Sequence, residues 1–307
     1  MSLLGHLLAL GRVSNLPTVW SNACAAYVFN ASVGPTLRAM PSLSAFNPWE
    51  DSTLPFLLLG ASLVYMGGCT LNDAVDEKFD ALHNPDRPIP SGALSSSAVW
   101  MIGLAELVLG AWAMIEGAGC SALWVVLLLI ALLAYDLLHK KWKGSFILMG
   151  SCRLFLWAGA ATAGGMTAIA PQTWIWGLAL MAYVMGITIH AREEASDRSD
   201  AHRLSVVPLF ATPLVALVAL VYWNNLDPIR VFLVNLSGLL AAWIALGAIL
   251  RMNEGRKGCI GDGVSRLLSG ICALDATVLA FVAPMLAGPV LLGVSLSQIL
   301  QKRFAAT

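Results

Sequence analysis

The chain has 307 residues, 58% hydrophobic and only 12% charged, with a mean hydropathy of +0.75 and zero formal net charge. A soluble domain carries roughly 25% charged residues, so eighteen acids and eighteen bases are too few to coat a water-exposed surface. The zero balance excludes the basic stripe of a nucleic-acid binder, and six isolated cysteines with no C-x-x-C pair argue against a disulfide scaffold.

Apolar runs near or above the ~18-residue threshold predict an all-α, multi-pass transmembrane helical bundle of about nine helices. In chain order they cover approximately residues 16–33, 54–71, 93–115, 122–138, 145–165, 173–189, 205–223, 229–250 and 267–286. Met1 to Leu10 is too short for a cleaved secretory signal and no small-residue cleavage site follows, so the first span is expected to be retained. A last apolar stretch, 290–300, follows Pro284, Gly288 and Pro289. It is too short to cross alone and is expected to extend the ninth helix past a kink. Prolines and glycines are scattered rather than clustered, which predicts a single integral-membrane domain over 1–307.

With the N-terminus in the cytoplasm, that side receives Arg12, Lys78, Arg87, Lys140, Lys141, Lys143, Arg192, Arg198, Arg203, Arg251, Arg256, Lys257 and Arg266. The other side receives Arg38, Arg230, Lys302 and Arg303. Basic residues favour cytoplasmic loops, so this asymmetry predicts the orientation, and the charge-rich loops, with any chemistry they carry, are expected on the cytoplasmic face.

Two acidic clusters lie on that side. The first contains Asn72, Asp73, Asp76 and Asp80, followed by Asn84-Pro85-Asp86-Arg87-Pro88 and Ser91-Gly92. If the second predicted helix continues through Asp80, about 100° per residue sets Asp73 and Asp80 about 20° apart and Asp76 about 60° from Asp73. Three carboxylates then share a face, with Asn72 at its edge. Like charges on one face repel, so the arrangement calls for a cation, and carboxylate and amide oxygens suit Mg²⁺. The second cluster runs from His190 through Arg192, Glu193, Glu194, Asp197 and Arg198 to Asp200, with Glu193 and Asp197 at i, i+4. Either cluster alone also reads as a solvated helix end. Two on one side make a clamp for metal ions bridging a diphosphate, where they would stabilise the leaving pyrophosphate.

The pattern Asn72-Asp73-x-x-Asp76-x-x-x-Asp80 with Arg87-Pro88 and Ser91-Gly92 downstream resembles the UbiA superfamily of intramembrane prenyltransferases. Arg192, Glu193 and Asp197 are similar to that family's second aspartate motif, with Glu193 where Asp is usual, and Tyr135 to Lys140 is similar to its tyrosine-then-lysine segment. The resemblance implies an all-helical bundle, Mg²⁺ and an isoprenyl diphosphate donor. It makes Asp73, Asp76, Asp80, Glu193 and Asp197 the expected catalytic residues, and Asn72, Asp76, Asp80, Glu193 and Asp197 the expected metal ligands.

Arg87, Lys140 and Arg198 are expected to contact the diphosphate, because guanidinium and ammonium groups pair with phosphate oxygens. Arg153 lies within an apolar run, where a charge needs a partner or a polar cavity. It is a candidate for the diphosphate, for an acidic acceptor, or for pairing with Asp136. His83, His139, His190 and His202 read as interfacial polar residues. The expected reaction is Mg²⁺-dependent isoprenyl transfer to a small aromatic, quinone-type or lipid acceptor within the membrane lipid. A terpene cyclase working without an acceptor is the alternative, and a transporter the rival from another class.

Overall fold

The computed structural model describes residues 3–33, 52–193, 201–223, 226–254, 256 and 258–304, the side chains of 193, 201–207 and 223 excepted. The described residues form helices and no strands. In order these are α1 (Leu3–Leu10), α2 (Leu16–Val33), α3 (Thr53–Val75), α4 (Glu77–His83), α5 (Ser96–Trp112) and α6 (Ala122–Leu138). There follow α7 (Phe146–Ala161), α8 (Pro171–Glu193), α9 (Ala201–Trp223), α10 (Pro228–Met252), α11 (Cys259–Val282) and α12 (Pro284–Gln301). Each of the nine predicted segments coincides with one of these.

Seven helical stretches are long and apolar enough to cross a membrane: α3, α5 with the turn after it, α7 with the turn before it, α8, α10, α11 and α12. Helix α6 and Pro208–Tyr222 within α9 are shorter apolar helices. Helix α2 falls outside that set because Thr18, Ser21, Asn22 and Asn30 dilute its hydropathy, yet all four are buried. Its polar atoms therefore face other helices rather than lipid.

Two expectations are corrected. The stretch 290–300 does not prolong the ninth helix. Ala283 leaves helical geometry (φ −141°, ψ 70°), since the residue before a proline is disfavoured in the α region. Pro284 then opens a separate helix at the position where its missing N–H is not needed. Nor is the second predicted helix regular through Asp80: α3 ends at Val75, Asp76 leaves helical geometry (φ −85°, ψ 1°), and α4 restarts at Glu77.

Helix α11 sits at the centre, packed by α2, α10 and α12. In its most apolar stretch 83% of residues are buried, against 28% in α10 and 11% in α12, whose outer faces are free for lipid. Helices α3 and α5 approach closely through glycines: a Cβ on Gly67 would meet the Gly103 carbonyl at 2.9 Å, and one on Gly60 the Gly110 carbonyl at 2.8 Å. Small residues at helix contacts are how apolar bundles gain van der Waals packing where lipid supplies no hydrophobic drive. That contact fixes the end of α3 and hence the first acidic motif. Asn30 anchors the far end of α2. Its amide donates to the carbonyls of Ala161 (2.7 Å) and Ala168 (3.0 Å) and accepts from Ala170 N (2.9 Å) and Thr173 Oγ1 (3.0 Å).

Candidate active site at the ends of α3, α4 and α6

Three chain segments meet at one end of the bundle: the α3–α4 junction with the loop after it, the C-terminus of α6, and the turn holding Arg12. Asp73 and Asp80 share one guanidinium, with Arg87 Nη1 3.0 Å from Asp73 Oδ1 and 2.8 Å from Asp80 Oδ2. The two carboxylates thus meet at a common partner although the helix breaks between them. Asp80 also accepts from Asn84 Nδ2 at 2.9 Å. The loop after α4 thus folds back on the motif that precedes it.

Asp76 turns toward another element. Lys140 Nζ lies 2.6 Å from Asp76 Oδ1 and His139 Nε2 3.3 Å from Asp76 Oδ2. Nδ1 of His139 faces the carbonyls of Tyr135 (3.2 Å) and Asp136 (3.1 Å). These contacts hold the ring with Nδ1 toward the α6 carbonyls and Nε2 toward Asp76. Burial pushes the Asp76 carboxyl upward, but the hydrogen bonds and charges of His139 and Lys140 outweigh it and leave Asp76 below the usual carboxylate range. Lys140 is held from a second side, its Nζ 3.7 Å from the centroid of the Phe79 ring.

Asn72 joins the site from its edge. Its amide donates to Asp136 Oδ1 (3.1 Å) and accepts from Arg12 Nη2 (3.3 Å), which also lies 3.5 Å from Asp73 Oδ1. Arg12 is the one non-glycine with positive φ among the described residues (φ 42°). The left-handed region is costly for a side chain with a Cβ, and here it aims the guanidinium at the end of α3. Arg12, Asp136 and His139 were not expected at this site. The signals were faint: Arg12 stood among the basic residues at helix ends, and the other two lay inside the Tyr135–Lys140 segment beside Lys140.

The second acidic motif approaches the first. Arg192, near the end of α8, donates through Nη2 to the His139 carbonyl (2.9 Å), through Nη1 to the Lys143 carbonyl (2.9 Å), and to Ser145 Oγ. Glu193 follows it as the last residue of α8. Asp197, Arg198 and Asp200 lie outside the described residues. The chain thus connects Asp76, through His139, to the residue immediately before Glu193.

Arg153 is placed elsewhere. On α7 it donates to the Thr18 carbonyl at 3.1 Å and more weakly to Thr18 Oγ1 at 3.5 Å. Its strongest acidic neighbour is Asp275 on α11. Asp275 is fully buried and accepts from Ser21 Oγ (2.6 Å) and Asn22 Nδ2 (3.2 Å). Asp136 instead pairs with Asn72. His190 is buried against Phe210, and His83 stacks on Phe79.

The donor chemistry suits a hard divalent cation. Asp136 is 5% exposed, and its Oδ2 is buried without a hydrogen-bond partner beside Asn72, a position a cation would satisfy. The oxygens of Asn72, Asp76 and Asp80 add to it, and oxygen donors are what Mg²⁺ selects. Among the described residues no three acidic, His or Cys side chains yet converge as a ligand set. Each acid of the first motif is drawn instead to a base.

A family model described as the UbiA prenyltransferase family matches residues 18–256. Similar curated proteins include the protoheme IX farnesyltransferase of Alkalihalophilus pseudofirmus, 39% identical over 29% of this chain and 28% of that one. The digeranylgeranylglyceryl phosphate synthase of Methanopyrus kandleri is 31% identical over 50% of this chain and 54% of its own. The chloroplastic chlorophyll synthase of Avena sativa is 37% identical over 32% of this chain and 29% of its own. The chain therefore spans about half or less of the length of the curated relatives it matches. Among solved structures, a UbiA homologue from Aeropyrum pernix K1 superposes with a TM-score of 0.62 at 16% identity, over 87% of this chain and 96% of that one. A digeranylgeranylglyceryl phosphate synthase superposes with a TM-score of 0.61 at 17% identity, over 92% and 99%. Those two likenesses speak for the fold. The motifs, the helical bundle and the family match over most of the sequence lead to one assignment: this integral membrane protein belongs to the UbiA prenyltransferase family.

Proposed function

We propose that the chain transfers an isoprenyl group from an isoprenyl diphosphate to a small aromatic, quinone-type or lipid acceptor in the membrane, with its reacting end on the cytoplasmic side. The observation that carries this reading is the meeting of three motif segments: Asp76 contacts His139 and Lys140, and Arg192 holds the backbone of that same turn. Asn72, Asp76, Asp80, Glu193 and Asp197 are the residues that would hold Mg²⁺, with Asp136 beside them. When bound, the metal would neutralise the charge that develops on the departing diphosphate.

The chain's own residues do the rest. Arg87, Lys140 and Arg198 bind the diphosphate oxygens, where charge-assisted hydrogen bonds are strongest. The bond between the allylic carbon and the diphosphate oxygen breaks, and the leaving group keeps the electron pair. The acceptor forms the new bond to that carbon and gives up a proton. The apolar helices exclude water, which would otherwise capture the allylic cation. Arg153, in the Thr18–Asp275 network, is assigned to holding the bundle rather than the diphosphate.

The test is incubation of the purified protein and Mg²⁺ with labelled isoprenyl diphosphates of several chain lengths, with and without host membrane extract. Labelled adducts formed only with extract are expected. A terpene made from donor alone would replace transfer by cyclisation, and no consumption of any donor would overturn the reading.

A further inference from the structure

The bases suited to a diphosphate are the partners of the acids suited to a metal. Lys140 holds Asp76 at 2.6 Å, while Arg87 holds Asp73 at 3.0 Å and Asp80 at 2.8 Å. An ion that takes these carboxylates has to displace the bases, and a diphosphate that takes the bases has to strip the carboxylates of their counter-charge. Neither ligand alone can satisfy both sets. The two together can, because ion and diphosphate bring equal roles of opposite sign.

The geometry gives the displaced base somewhere to stay. Lys140 rests on Phe79 as well as on Asp76. A cation over a ring face is attracted to it, so release of Asp76 leaves the ammonium at the site with donors free for phosphate oxygens. On the acid side, Asp136 Oδ2 is buried and unpartnered next to Asn72, so one oxygen there requires no displacement.

We propose that Lys140 and Arg87 are exchange partners. They occupy the motif carboxylates until a divalent ion and a diphosphate arrive together, so that each ligand alone binds weakly and the pair binds with strong positive coupling. The substrate taken up is then the metal–diphosphate complex. This rests on the prenyltransferase reading of the site and adds to it how its charges are managed before the donor binds. Coupling of roughly 10- to 100-fold is expected, within the span usual for linked sites.

The test uses the purified full chain in detergent, Mn²⁺ as a spin-active ion and inorganic pyrophosphate, with protein-bound Mn²⁺ read by electron paramagnetic resonance. For the wild type, saturating pyrophosphate should tighten retention of Mn²⁺ by the protein roughly 10- to 100-fold. Lys140→Met should act with opposite signs, tightening Mn²⁺ alone by about 10-fold while weakening pyrophosphate and collapsing the coupling. Asp76→Asn added to it should cancel the gain in Mn²⁺ affinity. A Lys140 that merely supports the fold would loosen Mn²⁺ or leave it unchanged when replaced, and that result overturns the proposal. So does absence of coupling in the wild type, a measurement that needs no variant to fold. Labelled product formed by a wild type without coupling would sink the exchange and leave the transferase reading standing.

Discussion

Two charged regions lie inside this bundle, and they are satisfied differently. At the ends of α3, α4 and α6 every acid of the first motif has a basic side chain within 3.0 Å. Deeper in, between α2, α7 and α11, Asp275 is hydrogen-bonded by the neutral Ser21 and Asn22, and Arg153 donates to the carbonyl and hydroxyl of Thr18. Charge against charge, at a partly open helix end, can be traded for other charges. Groups hydrogen-bonded to neutral dipoles, where Asp275 has no exposure and Arg153 makes no direct ion pair with it, have no contact to trade and fix helices instead. The first region reads as a site and the second as a joint.

The sharpest way to break that comparison is to remove an acid from each. Asp76→Ala should cut turnover of an isoprenyl diphosphate by about 10³-fold or more, the scale on which transition-state charge stabilisation acts, with the unfolding temperature in detergent nearly unchanged. Asp275→Leu should do the reverse. It strands Ser21 and Asn22, removes the acid whose charge acts most on Arg153, and should cost about 2–4 kcal/mol of stability, as unpaired buried polar groups do. Asp275→Asn should lose less. An Asp275→Leu protein that unfolds like the wild type would remove the distinction.

How much of this was legible in the sequence follows from the same physics. Helix positions are written in apolar runs, because a lipid-spanning backbone must satisfy its own hydrogen bonds. Asp73 and Asp80 were predicted to share a face from helix periodicity, and although the helix breaks at Asp76 one arginine still reaches both. The kink itself was not legible, since no proline or glycine marks it. The extra helix after Ala283 was misjudged because Pro289 looked like an interruption, whereas α12 carries it inside. Arg12, Asp136 and His139 reach the site through tertiary contacts across more than sixty residues of chain for Asn72 and Asp136, and periodicity carries no information about such pairs. Arg153 was correctly marked as needing a polar partner, but its partner is the backbone of α2.

A third change tests the frame that holds both regions in register. A Cβ on Gly110 would lie 2.7 Å from the Val64 nitrogen and 2.9 Å from the Gly60 carbonyl, backbone atoms that cannot rotate away. Gly110→Ala should therefore push α3 from α5 and cost about 1–3 kcal/mol, the usual price of overpacking. Because α3 carries the first motif at its end, a partial loss of donor turnover should accompany the lower unfolding temperature. A Gly288→Ala control, where an added Cβ meets nothing within 4 Å, should be silent.

The smallest effect belongs to a third set of charges, at the α10–α11 connection. Arg251 pairs with Glu254 at 2.9 Å, Arg256 with Glu254 at 2.9 Å, and Arg256 also with Asp262. By distance these contacts match those around Asp76 and Asp80. By exposure they do not: Arg256 and Asp262 are 46% and 49% exposed, Asp80 only 3%. Water screens exposed pairs and side-chain entropy opposes them, so most contribute little. Glu254→Gln should leave both turnover and the unfolding midpoint within measurement error, and added salt should erase any residue of an effect. A loss comparable to that of Asp275→Leu would mean that contact distance, rather than enclosure, decides which charges matter in this protein.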